Sequence, residues 1–201
     1  MVHLVALVAA LAAVPVLMTM AAVWGAGDAA QAGIALYGSS LIAMISCSFL
    51  YNHLRVPDWT PTLRALDHGA IYVKIAATYT PFALLSGSGL SMLATIWAGA
   101  ALGIGIMLLK KHDSILPGVV LCLGMGWAVV FGGRDLIADL STPVVVLMVL
   151  GGVLYSAGVP FLLACRMRYH NTIWHAFVMV ASLVFFVAIF IHLAQAAPRP
   201  L

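Results

Sequence analysis

The feature that most constrains this chain is the length of its apolar segments. Residues 4–24 and 142–165 each run without a single charged side chain. A hydrocarbon core of about 30 Å is crossed by about 20 helical residues, and a buried helix of a soluble domain is usually shorter. Because a bilayer interior offers no water to an open backbone, segments of this kind must be helical. The sequence therefore predicts an all-α membrane protein.

Seven apolar segments of spanning length follow one another with short connections. They cover residues 4–24, 32–54, 68–88, 91–109, 115–133, 142–165 and 173–195. Hydrophobic residues make up 64% of the chain and charged residues 7%, a balance far from that of soluble domains. We expect the first segment to remain as a helix, because no Lys or Arg precedes it as in a signal peptide. The fold prediction is a seven-transmembrane helix bundle, with residues 1–201 as a single membrane domain.

The lysines and arginines predict the orientation of this bundle. The loops after the second, fourth and sixth segments carry six of them, namely Arg55, Arg64, Lys110, Lys111, Arg166 and Arg168. The opposite side has Arg134 and Arg199. Because cytoplasmic loops are enriched in such residues, the N-terminus is predicted to be cytoplasmic and the C-terminus to lie outside. Cations placed beside apolar segments report membrane orientation, so the net charge of +3 does not indicate a nucleic-acid partner.

Small residues occur at the spacing that permits close helix packing. Gly99 and Gly103 lie four residues apart in the fourth segment, and Gly152 and Ser156 do so in the sixth. In membranes this small-xxx-small spacing lets helix backbones approach each other. We interpret these four residues as packing positions.

Polar residues gather where three remote segments reach the predicted cytoplasmic border. They lie in "SFLYN" at the end of the second segment, "LDHGAIYVK" at the start of the third and "NTIWH" at the start of the seventh. Ser48 and Asn52 are four residues apart and share a helix face, and so do Asn171 and His175. This pattern predicts an inward-facing polar cluster. The alternative is that these side chains only meet headgroups and water.

The stretches "SFLYN", "LRALDHGAIYVKIAATYTPF" and "NTIWHAFVMVASLVFF", taken in this order, resemble the hemolysin III family, the bacterial relatives of the progestin and adiponectin receptors. The resemblance implies an inner-membrane protein with a zinc ion near the cytoplasmic border. In the family pattern, the ion is held by a histidine four residues after a serine and by two histidines four residues apart. An aspartate at the start of the third helix acts through a metal-bound water. Three imidazoles and an open position suit zinc chemistry.

This chain matches the family pattern only in part. Ser48 matches the serine, Asp67 the aspartate and His175 the second histidine of the last helix. Asn52 and Asn171 stand where the other two ligands belong. Amide oxygens are hard ligands that suit calcium or magnesium better than zinc. We therefore predict no cofactor, with zinc as the alternative if the family site survives.

Other histidines lie close to the two asparagines. A shift by one residue would put His53 and His170 in the ligand positions, but it turns each helix by about 100° and displaces the matched residues. His3, His112 and His192 are solitary near segment ends and are predicted to be interfacial. A further family histidine corresponds to Phe185 in this chain.

Two classes of function remain open at this stage. The missing ligands favour a metal-free binder, receptor or pore-forming protein whose degenerate polar site takes membrane lipid or fatty acid. The alternative, implied by the related receptors, is a zinc-dependent hydrolase of lipid amides such as ceramide, with Ser48 and Asp67 as the catalytic residues. The sequence does not decide whether the protein is an enzyme, and it defines no protein partner.

Lys74 adds a cation within the third segment. It follows Asp67 by seven residues, which is nearly two full helical turns, so both residues share a face. Helical side chains lean toward the N-terminus, and a lysine inside a membrane is costly unless paired. We predict an ion pair of Lys74 with Asp67 that replaces the charge of the metal. The alternative is that Lys74 extends to the headgroups along the lipid face.

The orientation can be tested with reporter fusions at the C-terminus. Because the cation-rich loops are predicted to be cytoplasmic, alkaline phosphatase fused after Leu201 should be active in cells. A green fluorescent protein fused at the same position should stay dark. The reverse pair of results would show that the predicted orientation is inverted.

Overall fold

The computed structural model describes residues 2–54, 56–109 and 115–198, in which every regular element is a helix. The α-helices are α1 (Val2–Val23), α2 (Asp28–His53), α3 (Thr60–Ser86), α4 (Leu90–Leu109), α5 (Leu116–Gly132), α6 (Arg134–Asp139), α7 (Thr142–Leu163) and α8 (His170–Ala196). A short 3-10 helix, Pro57–Trp59, precedes α3. The all-α prediction is confirmed. Several residues used above lie outside the described ranges, namely Arg55, Lys110, Lys111, His112 and Arg199.

Helix α3 lies at the centre of the bundle. It packs against α2, α4, α5, α6 and α8. Residues 76–83 of α3 are all buried, whereas α1 buries only the side chains that recur every three or four residues along one face. Since protein surrounds α3, the helix does not need an apolar surface for lipid. It can therefore carry the buried polar residues Lys74, Thr78 and Thr80.

Five of the described helices, α1, α2, α4, α7 and α8, are long and apolar enough to cross a membrane. Helix α3 has sufficient length, 27 residues, but its composition is more polar because neighbouring helices cover it. Helix α5 has only 17 residues because the chain passes at Gly133 into the short helix α6. The structure thus establishes a helical protein with several membrane-spanning candidates, which is a coarser statement than the predicted seven spans.

The start of α3 and the presence of α6 differ from the prediction. Helix α3 begins at Thr60, whereas the apolar segment was predicted from residue 68. Pro61 favours this early start because its fixed φ suits the first turn and its missing N–H is not needed there. Asp67 therefore lies two turns inside α3 and not at its beginning. Helix α6 was not predicted, because six residues are too few to give a periodic apolar pattern.

Small residues bring neighbouring helices together as predicted. A Cβ on Gly103 of α4 would lie 2.6 Å from Cε1 of Tyr72 in α3, and one on Gly99 would lie 3.3 Å from Cγ of Met125 in α5. Gly152 of α7 packs on the ring of Trp127, whose Nε1 donates to Ser156 Oγ at 3.0 Å. These contacts confirm that the small residues of α4 and α7 serve helix packing.

We expect Gly103→Ala to destabilise the protein, because the new methyl group overlaps the Tyr72 ring. Overpacking of this kind costs about 1–3 kcal/mol. The matched control is Gly105→Ala on the same helix, where a Cβ meets nothing within 4 Å. Gly105→Ala should stabilise the protein by about 1 kcal/mol, because alanine has a higher helix propensity than glycine. Thermal unfolding in detergent measures both, and equal effects of the two changes would contradict the close α3–α4 contact.

Candidate functional site

The predicted polar residues of α2, α3 and α8 meet at one end of the bundle, together with the start of α1. Asn171 Nδ2 of α8 donates a hydrogen bond of 2.7 Å to Asn52 Oδ1 of α2. Asn52 Nδ2 in turn donates to the Ser48 carbonyl at 2.8 Å, one turn earlier in α2. Both polar atoms of the Asn52 amide are thus used. Two of the three positions at which the family pattern has metal ligands are thus joined by a direct bond between amides.

Asp67 contributes the carboxylate of this site. Its side chain is only 9% exposed, and it lies beside the Ser48 hydroxyl of α2. The Ser48 Oγ is itself buried and has no hydrogen-bond partner within normal geometry. Cys47, the neighbour of Ser48, is also within electrostatic range of the carboxylate. Ser48 and Asp67 therefore lie side by side, although the two side chains are not aligned in a standard hydrogen bond.

A cluster of imidazoles lies at the same end. The His3 ring of α1 contacts His175 edge-on, with ring centroids 4.2 Å apart, and lies 5.6 Å from the His53 ring. The prediction that His3 is solitary is therefore wrong. The antiparallel packing of α1 on α2 brings the start of one helix to the end of the other, and this topology could have indicated the contact. His3 Nε2 is buried without a hydrogen-bond partner.

The histidines beside the asparagines do not take their places. His53 is exposed and its Nδ1 donates to the Phe49 carbonyl at 2.9 Å. His170 Nδ1 donates to the carbonyl of Phe161 in α7 at 3.2 Å. Both rings make local contacts, and the amide bond between α2 and α8 is formed in the unshifted register.

At the other end of the bundle, His192 also differs from expectation. It was predicted to be interfacial, but it is 4% exposed, and its Nε2 is hydrogen-bonded to Ser86 Oγ of α3 at 3.1 Å. The ring packs near Phe82. His192 therefore links α8 to α3 and belongs to the packing of the bundle.

The donor set does not fit the zinc ion that the family pattern implies. Asn171 donates to Asn52, which itself donates to the Ser48 carbonyl, and the His175 ring packs against His3. In the described ranges, no group of three or more His, Cys, Asp or Glu side chains is arranged to hold a metal ion. One imidazole at the pattern positions gives too few soft ligands for zinc.

Lys74 does not form the predicted ion pair with Asp67. Its side chain is 3% exposed, and its Nζ donates to Thr78 Oγ1 at 2.8 Å. The ammonium also lies 4.9 Å from the centroid of the Tyr37 ring in α2. Since Thr78 follows Lys74 by one turn, the amine extends away from Asp67. The alternative of a lysine extending along the lipid face is equally absent, because the side chain is enclosed.

These features define an all-helical integral membrane protein. The family description "Haemolysin-III related" matches residues 1–186. The chain is 35% identical over 154 residues to "Hemolysin-3 homolog" of Bacillus subtilis, covering 75% of this chain and 72% of that relative. It is 31% identical over 165 residues to "Hemolysin-3" of Bacillus cereus, covering 81% and 75%. The chain belongs to the hemolysin III family. No solved structure matches it.

We expect Asn52→Ala to destabilise the protein because it leaves the half-buried amide of Asn171 without its acceptor. Loss of one partner of such a bond costs about 1–3 kcal/mol. Asn171→Ala should have a similar effect, and the double variant should cost less than the sum of the two. Thermal or denaturant unfolding in detergent measures all three. The control is Thr172→Ala, at the exposed neighbour of Asn171. Additive effects of the two asparagine changes would show that no bond joins them.

Proposed function

We propose that this hemolysin III family member binds membrane lipid or fatty acid at a polar site that needs no metal. Residues 1–201 form one membrane domain of seven spans in the bacterial inner membrane, with a cytoplasmic N-terminus and an exterior C-terminus. The observation that carries the proposal is the hydrogen bond between Asn52 and Asn171. It occupies the positions of the two missing ligands with groups that satisfy each other.

A metal at this position would have two effects. It would tie α2 to α8, and it would act as a Lewis acid toward a bound group. The amide bond achieves the first effect, since it joins the two helices across 119 residues of sequence. It cannot achieve the second effect, because neutral amides do not acidify water. The site thus retains its architecture and loses the group on which hydrolysis depends.

The surroundings of the site favour a lipid ligand. Large apolar side chains are exposed along α1 and α7, including Leu4, Val8, Val146 and Val153, as expected for surfaces that face acyl chains. The polar groups Ser48, Asp67 and Asn52 lie at the end of the bundle, where lipid headgroups are found. A ligand with an apolar tail and a polar head matches both environments.

A zinc-dependent lipid amide hydrolase is the second candidate. The buried Ser48 hydroxyl has no hydrogen-bond partner and lies beside the Asp67 carboxylate, which favours retention of a reactive polar pair. These two residues would assist the reaction if the chain carried zinc. The two candidates differ in one measurable quantity, the zinc content of the purified protein.

We expect protein purified in detergent to contain far less than one zinc per chain, because two of three ligands are amides. Elemental analysis measures this ratio. Chelators should leave the midpoint of thermal unfolding unchanged, since a metal that does not bind cannot stabilise by mass action. One zinc per chain, together with a lower midpoint of thermal unfolding after chelation, would favour the hydrolase over the metal-free lipid binder.

The matched gain-of-binding variant is Asn52→His combined with Asn171→His. With His175 it restores three imidazoles at the family spacing, and it should raise both zinc content and the unfolding midpoint in zinc. A variant with only one of the two changes should bind weakly. Equal metal content in the parent and the double variant would contradict the assignment of these positions as ligand positions.

A further inference from the structure

A second polar layer crosses the interior of the bundle, away from the site at its end. It consists of Tyr37 of α2, Lys74 and Thr78 of α3, Tyr155 of α7 and Ser182 of α8, and is called here the mid-bundle layer. Along α3, Lys74 lies about 10 Å from Asp67 at 1.5 Å per residue. Four helices thus place polar side chains at a depth where a membrane protein normally has apolar ones.

The Lys74 ammonium is incompletely satisfied within this layer. It has three donor hydrogens, and among the described residues its one hydrogen bond to an acceptor is that to Thr78 Oγ1 at 2.8 Å. The Tyr37 ring face offers a further weak attraction at 4.9 Å. No ion pair joins Lys74 to a carboxylate in the described ranges. An enclosed cation without an anion is costly, and a charged side chain inside a membrane usually serves a function.

The phenol of Tyr37 is a second unused group in the mid-bundle layer. Its side chain is fully enclosed, at 0% exposure, and its hydroxyl has no hydrogen-bond partner. Tyr155 lies within electrostatic range of Tyr37 and shares a hydrogen bond of 2.8 Å with Ser182 Oγ. An unused phenol beside an unneutralised ammonium is the donor set that recognises a singly charged anion.

We propose that the mid-bundle layer binds the carboxylate of a fatty acid, with Lys74 supplying the charge and Tyr37 a hydrogen bond. This inference rests on the proposed function and names the head group that the chain recognises. One cation and one hydroxyl match a monoanionic carboxylate, whereas a phosphate head would require more positive charge. The anion enters from the lipid with its own apolar tail, because the layer is enclosed by apolar side chains.

An apolar groove lies near the mid-bundle layer. Phe185 of α8 packs on Tyr155, with ring centroids 6.1 Å apart. The same phenylalanine lines the groove between α5 and α7, together with Val130, Met148 and Val149. The surroundings of the layer on this side are therefore apolar, which suits a ligand that carries an acyl chain.

The test compares oleic acid with methyl oleate, which has the same tail without the charge, on the full-length protein in detergent at neutral pH. Binding is measured directly with radiolabelled ligands. The parent should bind oleate at least ~10-fold more tightly than methyl oleate, since a charge-assisted bond is lost in the ester. Acetate should not compete, because it lacks the tail. Competition by acetate at equal concentration would show a small-anion site and overturn the assignment to a fatty acid.

Variants then locate the head group. Lys74→Met should abolish the preference for oleate, and Tyr37→Phe should weaken oleate binding by about 10-fold. Lys74→Arg should keep the preference, which excludes misfolding as the cause of loss in Lys74→Met. The matched controls are Arg134→Met and Tyr169→Phe, which remove an exposed cation and an exposed hydroxyl.

The possible failures are distinguishable. If oleate binds to the parent and Lys74→Met keeps the full preference for the charged ligand, the mid-bundle assignment is wrong while lipid binding at the end of the bundle stands. If the parent binds neither ligand, the proposed lipid-binding function is itself wrong. If Arg134→Met weakens oleate binding and Lys74→Met does not, the anion is recognised at the surface and the mid-bundle assignment is wrong.

Discussion

The enclosure of α3 by at least five other helices is the constraint on which the other features of this protein depend. Because lipid does not reach most of this helix, its side chains are selected by contact with protein and can be polar. The same enclosure requires small residues on neighbouring helices, as where Gly103 admits the ring of Tyr72. It also holds Asp67 and Lys74 at fixed depths, so that two polar regions form inside an otherwise apolar bundle.

At the end of the bundle, a hydrogen bond between two amides joins α2 to α8. A bond between Asn52 and Asn171 requires no deprotonation and leaves no buried charge. Asn52 accepts from Asn171 and donates to the Ser48 carbonyl, so both polar atoms of its amide are used.

The two polar regions differ in what they leave unsatisfied. At the end of the bundle, the Asn171 amide donates to Asn52, and the buried polar atoms without a hydrogen-bond partner in the described residues are His3 Nε2 and Ser48 Oγ. In the interior, the Lys74 ammonium donates one hydrogen bond, to Thr78, and the Tyr37 hydroxyl has no hydrogen-bond partner among the described residues. The interior region therefore has the greater capacity to bind a charged ligand, although the family pattern draws attention to the other one.

Much of this architecture could be predicted from local sequence. Apolar segments of spanning length predicted the positions of the long helices, because the backbone polar groups of a segment inside a bilayer must be hydrogen-bonded within a helix. The four-residue spacing in "SFLYN" and "NTIWH" was enough to predict which faces of α2 and α8 meet, since residues at that spacing lie on one helix face. The early start of α3 at Thr60 was missed because Arg64 and Asp67 interrupt the apolar residues of its first two turns.

What the sequence determined by itself was the helical class and the convergence of Ser48, Asn52 and Asn171. The tertiary structure decided where the amine of Lys74 points. Its side chain has four rotatable bonds and several partners within reach along α3, so helix periodicity cannot choose between Asp67 and the opposite direction. In the structure the amine donates to Thr78 and lies over the ring of Tyr37 in α2. The position of that ring depends on how α2 and α3 pack against each other.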